Sequence, residues 1–158
     1  MNEIIGEIYC LFESLFGENF GNYLWGWNCE DGSFTNPNKF NQIGLITILI
    51  CVIAVLIYYY VFNPVRKQRM CWCVMLGTTA VINGFIGYYI TINDYLDGKI
   101  GDCLMNTRDE EGNIVATLIN SWDCFYFGVT NFIVSVCFFF LFSMILKWGS
   151  SGNKHYPI

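Results

Sequence analysis

The sequence predicts an all-α membrane protein: three transmembrane helices per subunit, an amphipathic amino-terminal helix and a small extracytoplasmic cap with a β-hairpin, assembled as an oligomeric bundle. Hydrophobic residues make up 54% of the 158 residues and charged residues 13%, about half the roughly 25% of soluble domains. Charged residues are absent from three runs of about 20 residues, the length that a helix needs to cross a bilayer. Soluble enzymes, nucleic-acid readers with a basic face and disordered regulators are therefore disfavoured.

Turn and charge signals bound the three uncharged runs. Asn63-Pro64 follows the first run, Asn93-Asp94 follows the second, and Asp123 precedes the third. The predicted segments are an extracytoplasmic amphipathic helix and connector (1–42), a first span (43–62), a basic cytoplasmic loop (63–70), a second span (71–92), an acidic extracytoplasmic loop (93–124), a third span (125–146) and a cytoplasmic tail (147–158).

The basic residues predict the orientation. The loop 63–70 contains Arg66, Lys67 and Arg69 and no acid, and the tail contains Lys147 and Lys154 and no acid. The opposite side carries three basic residues and all thirteen acidic residues. Because basic residues near span ends stay in the cytoplasm, we expect a multi-pass protein of the inner cell membrane with its amino terminus outside and its carboxyl terminus inside.

The two outer segments have different patterns. Residues 3–20 place apolar side chains at helical spacing, which predicts an amphipathic helix on the outer interface or on the bundle: Ile4, Ile8, Leu11, Phe12, Leu15 and Phe16. Residues 28–41 are rich in turn residues and indicate a connector. In the second segment, 103–108 and 113–118 flank Asp109-Glu110-Glu111-Gly112, which predicts a β-hairpin.

Four of the eight cysteines fall on the outer side of this topology, Cys10, Cys29, Cys103 and Cys124. Four cysteines in an oxidising compartment predict two disulfides. The most local pairing joins the first two and the last two, whereas a cross-pairing would join the amino-terminal segment to the hairpin loop; four reduced thiols are the alternative. No metal site is expected, because the remaining cysteines lack further ligands.

Small residues recur on each span, where they allow close helix packing in a membrane. They either pack the three helices of one subunit or also join subunits. The positions that we assign to helix packing are Gly77, Ala80, Gly84 and Gly87 in the second span, Gly44 and Ala54 in the first, and Gly128 in the third.

Uncharged polar residues also lie within the spans: Asn83, Thr78, Thr79, Asn131 and Ser135. An unsatisfied amide in hydrocarbon costs several kcal/mol, so these residues either line a pore or form interhelical hydrogen bonds. Towards the cytoplasmic end of the third span, three phenylalanines follow, and we expect them to form a hydrophobic gate: Phe138, Phe139 and Phe142.

The predicted function is a gated homo-oligomeric ion channel, since the acidic outer segments would attract cations to its entrance. The alternative is a non-conducting accessory or assembly subunit of a membrane complex. We expect no catalytic residues, cofactor or duplex nucleic acid; the partners are the bilayer and further copies of the chain. Arg66, Lys67 and Arg69 would contact lipid headgroups or an anionic ligand such as a nucleotide or oligonucleotide.

In its size, its three spans and its small cytoplasmic portion, the chain resembles the small multi-pass transmembrane effectors of bacterial antiviral defence, such as the Hailong-type channel effector. The resemblance concerns the architecture and includes no signature motif, so no site residue is transferred from that family. It implies a channel that depolarises the cell in antiphage defence when a nucleotide or oligonucleotide signal changes, with toxicity on activation.

Overall fold

Three long helices form the body of the protein. The structure, a computed structural model, describes residues 4–62 and 68–146. Helix α4 (Lys39–Leu56) continues as a π-helix (Ile57–Phe62), followed by α5 (Gln68–Leu96) and α7 (Ser121–Leu146). All three are long and apolar enough to cross a membrane. Arg66, Lys67 and the tail 147–158 lie outside the described residues, whereas Arg69 is an exposed residue at the start of α5.

The amino-terminal segment contains three short helices instead of one amphipathic helix: α1 (Ile4–Cys10), α2 (Glu13–Phe16) and α3 (Glu18–Trp25). Gly17, with a φ of 85°, separates α2 from α3, and this left-handed conformation favours glycine. Because the breaks rotate the apolar face, Leu11 and Leu15 are exposed, together with Ile4, contrary to the predicted face. The buried side chains of this segment are the predicted Phe16 and, in addition, Tyr9, Phe20, Tyr23 and Leu24.

These helices pack on one end of the bundle through aromatic rings. Tyr9 stacks on Phe40 of α4, with ring centroids 5.4 Å apart, and Phe16 meets Phe127 of α7 edge-on at 5.6 Å. Such aromatic pairs contribute about 0.5–1.5 kcal/mol beyond the area they bury. We call residues 4–38 and 97–120 the cap, and the end of the bundle beside them the cap end.

Two small antiparallel hairpins complete the cap. Strands β3 (Asn106–Arg108) and β4 (Ile114–Thr117) form the predicted hairpin, preceded by the short helix α6 (Asp102–Met105). Within the predicted connector, β1 (Trp27–Asn28) pairs with β2 (Ser33–Phe34). The Asp31-Gly32 dipeptide at this turn is a common hairpin signal, and sequence analysis missed it.

One disulfide, Cys29–Cys103, joins the two parts of the cap. The prediction of two disulfides is therefore wrong, because Cys10 and Cys124 are free, and the bond that forms is a cross-pairing between the two outer segments. The Cys10 sulfur accepts a hydrogen bond from Trp25 Nε1 at 3.2 Å. Cys124 lies fully buried in the apolar core at the cap end. Cys10 is thus bonded to Trp25, and Cys124 is packed in the apolar core.

Glycines bring α5 and α7 together. A Cβ on Gly84 would lie 3.2 Å from the Gly128 carbonyl oxygen, and a Cβ on Gly128 would lie 2.9 Å from Tyr88 Cβ. Close backbone approach of this kind is typical of membrane helix pairs. Gly77 differs, since a Cβ there would meet no described atom within 4 Å. The remaining packing candidates lie at contacts or are buried: Gly87 against Asn131, Gly44 against Ile5 and Tyr9, and Ala54 and Ala80 in the interior.

Candidate functional site

A line of polar side chains runs through the interior of the three-helix bundle. Helices α4 and α7 are parallel, and their polar residues meet in pairs that are always 84 positions apart in sequence. Because the pairs recur at multiples of four residues, they stay on one face of each helix. We call the following residues the polar seam: Tyr9, Thr47, Cys51, Tyr59, Trp72, Asn83, Asn131, Ser135 and Ser143.

Asn131 is the centre of the seam's cap-end half. Its Oδ1 accepts hydrogen bonds from the Tyr9 hydroxyl at 2.6 Å and from Thr47 Oγ1 at 3.0 Å. Its Nδ2 donates to the Asn83 backbone carbonyl at 2.7 Å. The side chain is fully buried. One amide therefore connects α1, α4, α5 and α7, which explains how a polar residue is tolerated here.

Asn83 continues the seam one helical turn further. Its Nδ2 donates to Ser135 Oγ at 2.8 Å and lies 3.7 Å from the sulfur of Cys51, which is itself 3.4 Å from Ser135 Oγ. The Asn83 Oδ1 atom is buried and has no hydrogen-bond partner among residues 4–62 and 68–146. An unpaired amide oxygen in a membrane interior is costly, so Asn83 is the least satisfied residue of the seam.

An apolar layer divides the seam into two halves. Val55 and Phe139, also 84 positions apart, are fully buried between the Ser135 and Ser143 levels. On the far side of this layer, Ser143 Oγ lies 2.7 Å from the Tyr59 hydroxyl and accepts from Trp72 Nε1 at 2.9 Å. Eight residues of helix separate the two serines, or about 12 Å. The interior of the three-helix bundle is thus closed by side chains at this level.

The predicted gate residues occupy different environments. Phe139 belongs to the apolar layer, where its ring centroid lies 5.8 Å from that of Trp72. Phe138 and Phe142 are half-buried and stack on each other at 6.1 Å. Of the three predicted gate residues, only Phe139 therefore lies between polar groups of the seam.

The five predicted polar residues also separate. Asn83, Asn131, Ser135 and Thr79 are buried within the bundle of one chain. Thr78 is exposed on α5 and donates to the Val74 carbonyl of its own helix at 2.9 Å. Asn83, Asn131 and Ser135 form hydrogen bonds between helices, whereas Thr78 lies on the outer surface of the bundle.

A charged cluster that sequence analysis did not identify lies at the cap end. Asp94 is 5% exposed, lies 2.9 Å from Lys39 Nζ and 3.1 Å from Lys99 Nζ, and accepts from the Tyr23 hydroxyl at 2.8 Å. Burial and the bond to this carboxylate raise the pKa of Tyr23, and bonds to Asp97 and Asp94 raise the pKa of Lys99. Two features of the sequence could have indicated this cluster: an acid, Asp94, just after the second uncharged run, and a lysine, Lys39, shortly before the first.

The surface of the cap is acidic. Arg108, one of its few basic residues, is already paired with Asp102 at 2.8 Å. Hydrogen bonds from Asn106 and then from Arg108 lower the pKa of Asp102, and backbone hydrogen bonds lower that of Asp109. The exposed acidic residues among those described are Glu7, Glu18, Glu30, Asp31, Asp97, Asp102, Asp109, Glu110 and Glu111.

An apolar groove lies between α5 and α7 on the outside of the bundle, with a volume of about 380 Å³. Gly84 and Gly128 form its floor, because the two backbones approach each other there. Its lining residues are Val81, Gly84, Phe85, Tyr88, Phe125, Gly128, Val129 and Phe132.

The described residues contain no group of three or more histidine, cysteine or acidic side chains placed to hold a metal ion. Comparisons with protein-family models, curated proteins and solved structures found no match to this chain.

Proposed function

We propose that this chain is the subunit of a homo-oligomeric ion channel whose pore lies between subunits. The interior of one subunit is occupied by the hydrogen-bonded seam and by the Val55–Phe139 layer. A path through that interior would break several buried hydrogen bonds, each of which contributes about 0.6 kcal/mol in membrane proteins. A path between copies leaves the seam intact.

The exposure of α5 carries this proposal. Among the three spans, α5 has the lowest mean hydropathy, 1.5 against 2.6 and 2.3, and the smallest buried share, 22% against 44% and 33%. Part of the low hydropathy comes from buried Asn83 and Thr79, but Thr78 and Tyr89 are exposed. The least apolar span is therefore the one that a single subunit covers least, which favours further protein or water at this surface.

The acidic cap supports a cation preference. Its exposed carboxylates outnumber its basic residues, Lys99 and Arg108, and these two residues and the neighbouring Lys39 are each already paired with a carboxylate. Repeated around a symmetry axis, such a surface would concentrate cations at the entrance. We expect substitution of Asp109, Glu110 and Glu111 by their amides to shift the reversal potential towards non-selectivity.

The decisive experiment is thiol accessibility of the purified protein in planar bilayers. In a background with Cys73→Ser and Cys137→Ser, we expect a charged thiol reagent to block current through Thr78→Cys but not through Leu49→Cys, which is exposed on α4. The background alone controls for the other cysteines. Absence of current across lipids and voltages, or equal block at both positions, would contradict the proposal.

The orientation and the stimulus belong to the same proposal. With the amino terminus outside, Arg66, Lys67 and Arg69 of the basic loop 63–70 would face the cytoplasm in every copy. A ring of these residues would attract an anionic nucleotide or oligonucleotide. A membrane-depolarising effector in antiphage defence fits this arrangement. We expect expression of the chain to be toxic, and neutralising these three residues to remove any response of the current to added oligonucleotide.

The outer surface of the bundle favours a second candidate, a non-conducting assembly subunit. Most exposed side chains of the spans are apolar, including Leu45, Val81 and Phe85, and such faces pack against protein or lipid as well as around a pore. This alternative predicts a stable hetero-complex on pull-down through the acidic cap and no current from the chain alone.

A further inference from the structure

Two exposed apolar surfaces of this chain lie on different helices, one concave and one convex. The first is the groove between α5 and α7, which is concave because Gly84 and Gly128 form its floor. The second is a ridge on α4 formed by Leu45, Leu49 and Ile53, which are 58%, 61% and 47% exposed. Residues four apart form a continuous ridge along a helix, and ridges of this kind pack into grooves between rows of side chains.

The hydrogen bonds of the seam give the depth of each surface along the bundle. Thr47 lies level with Asn131 and Cys51 with Ser135, always 84 positions apart. By this register, the ridge Leu45–Ile53 lies level with residues 129–137 of α7. It therefore extends over about two turns of helix.

The groove lies at the same depth. Its α7 wall begins at Phe125, and contacts of Asn83 with Ser135 and of Gly84 with Phe132 relate α5 to α7. By these contacts Val81, at the other end of the groove, is level with about residue 136 of α7. The groove thus covers levels 125 to about 136, and the ridge covers 129 to 137.

We infer that the ridge on α4 of one copy packs into the α5–α7 groove of the next copy. A rotation about the membrane normal keeps every residue at its depth, so surfaces that match in depth within one chain also match between copies. Because the two surfaces differ, the contact is heterologous and repeats until a ring closes. This inference rests on the homo-oligomer of the proposed function and identifies its interface.

Packing is the driving force available to such a contact. Lipid chains are as apolar as leucine, so membrane helices associate through close van der Waals fit. The groove offers that fit, since the Phe85 and Phe132 rings flank a floor of glycine backbone. A lipid acyl chain is the competing occupant of the groove.

Cysteine cross-linking tests the contact directly. Leu49 is level with residue 133 of α7, and Phe85 is level with about residue 132. The double variant Leu49→Cys/Phe85→Cys should therefore form intermolecular disulfides on oxidation in membranes. The exposed native thiols are removed by Cys73→Ser and Cys137→Ser. We expect a ladder of cross-linked copies that ends at one ring size, with loss of the monomer band. Each single variant should form no cross-link between copies, because a heterologous contact does not bring two copies of one residue together.

Leu49→Cys/Val74→Cys is the matched control. Val74 is also exposed on α5 but lies about eleven residues, or about 16 Å, further from the cap end than Phe85. Dimers from either single variant, or an equal ladder from the control, would overturn the inference. Native mass measurement separates the two failures: an oligomer without the ladder contradicts this interface alone, whereas a monomer with bound lipid contradicts both the interface and the oligomer.

Discussion

Replacing Asn131 with leucine should destabilise the bundle strongly although the two side chains have the same branched arrangement of heavy atoms. The substitution removes the hydrogen bonds to Tyr9, Thr47 and the Asn83 carbonyl. At about 0.6 kcal/mol for each bond in a membrane protein, the direct loss is about 2 kcal/mol. The Tyr9 hydroxyl is then buried without its acceptor, which adds about 1 kcal/mol. We therefore expect a decrease of about 3 kcal/mol in the free energy of unfolding, or about a hundredfold in the equilibrium constant.

Unfolding in mixed micelles, followed by far-UV circular dichroism during an SDS titration, measures this change. Thr78→Val is the matched control, because Thr78 bonds only to its own helix and is exposed. A cycle that combines Asn131→Leu with Tyr9→Phe should give a coupling energy of about 1 kcal/mol. If Asn131→Leu costs no more than the control, or if the cycle shows no coupling, the seam does not hold the bundle together.

Three further predictions use paired variants or pH. Gly128→Val should cost about 1–3 kcal/mol of stability by overpacking α5 against α7, whereas Gly77→Ala should change it by less than about 0.5 kcal/mol, both measured by the same SDS titration. Asp94→Asn should cost about 2 kcal/mol, because it removes the charge-assisted hydrogen bonds that this buried carboxylate accepts from Lys39, Lys99 and Tyr23, and exposed Asp97→Asn less than about 1 kcal/mol, both read from hydrogen exchange in the cap. The folded-state pKa of Asp102 lies below its ordinary value of 3.8. Its carboxylate therefore stabilises the β3–β4 hairpin above pH 3.8 and loses this effect as the pH falls through the folded-state pKa. Amide hydrogen exchange in the hairpin should accelerate over that pH range, and Asp102→Asn should remove this acid dependence.

The spans were predictable because their signal is long and local. The helices extend beyond the predicted spans, since α5 continues through Asn93 and Asp94 to Leu96. A carboxylate normally ends an apolar helix, but two lysines and a tyrosine neutralise and bond this one. Those partners are distant in sequence, and no local pattern reveals them.

The candidate site was predictable in its residue types but not in its geometry. Periodicity placed Asn83, Asn131 and Ser135 within the membrane, yet it does not show which helix each one faces. That choice depends on the parallel register of α4 and α7, which is a tertiary property. The predicted apolar face of the amino-terminal segment was partly wrong for a simpler reason, because the prediction assumed one unbroken helix across Gly17. Disulfide pairing is likewise undetermined by spacing alone.

The Cys29–Cys103 bond encloses 74 positions of chain that include all of α4 and α5. Two membrane crossings thus belong to a covalently closed macrocycle, and a cut within residues 63–67 would open the macrocycle without separating its halves. A protein nicked there should migrate as a single species in non-reducing electrophoresis and divide into two fragments once a thiol reductant is added. The two crossings would stay tethered at the cap end after the cut, so their helices should remain paired despite the missing peptide bond.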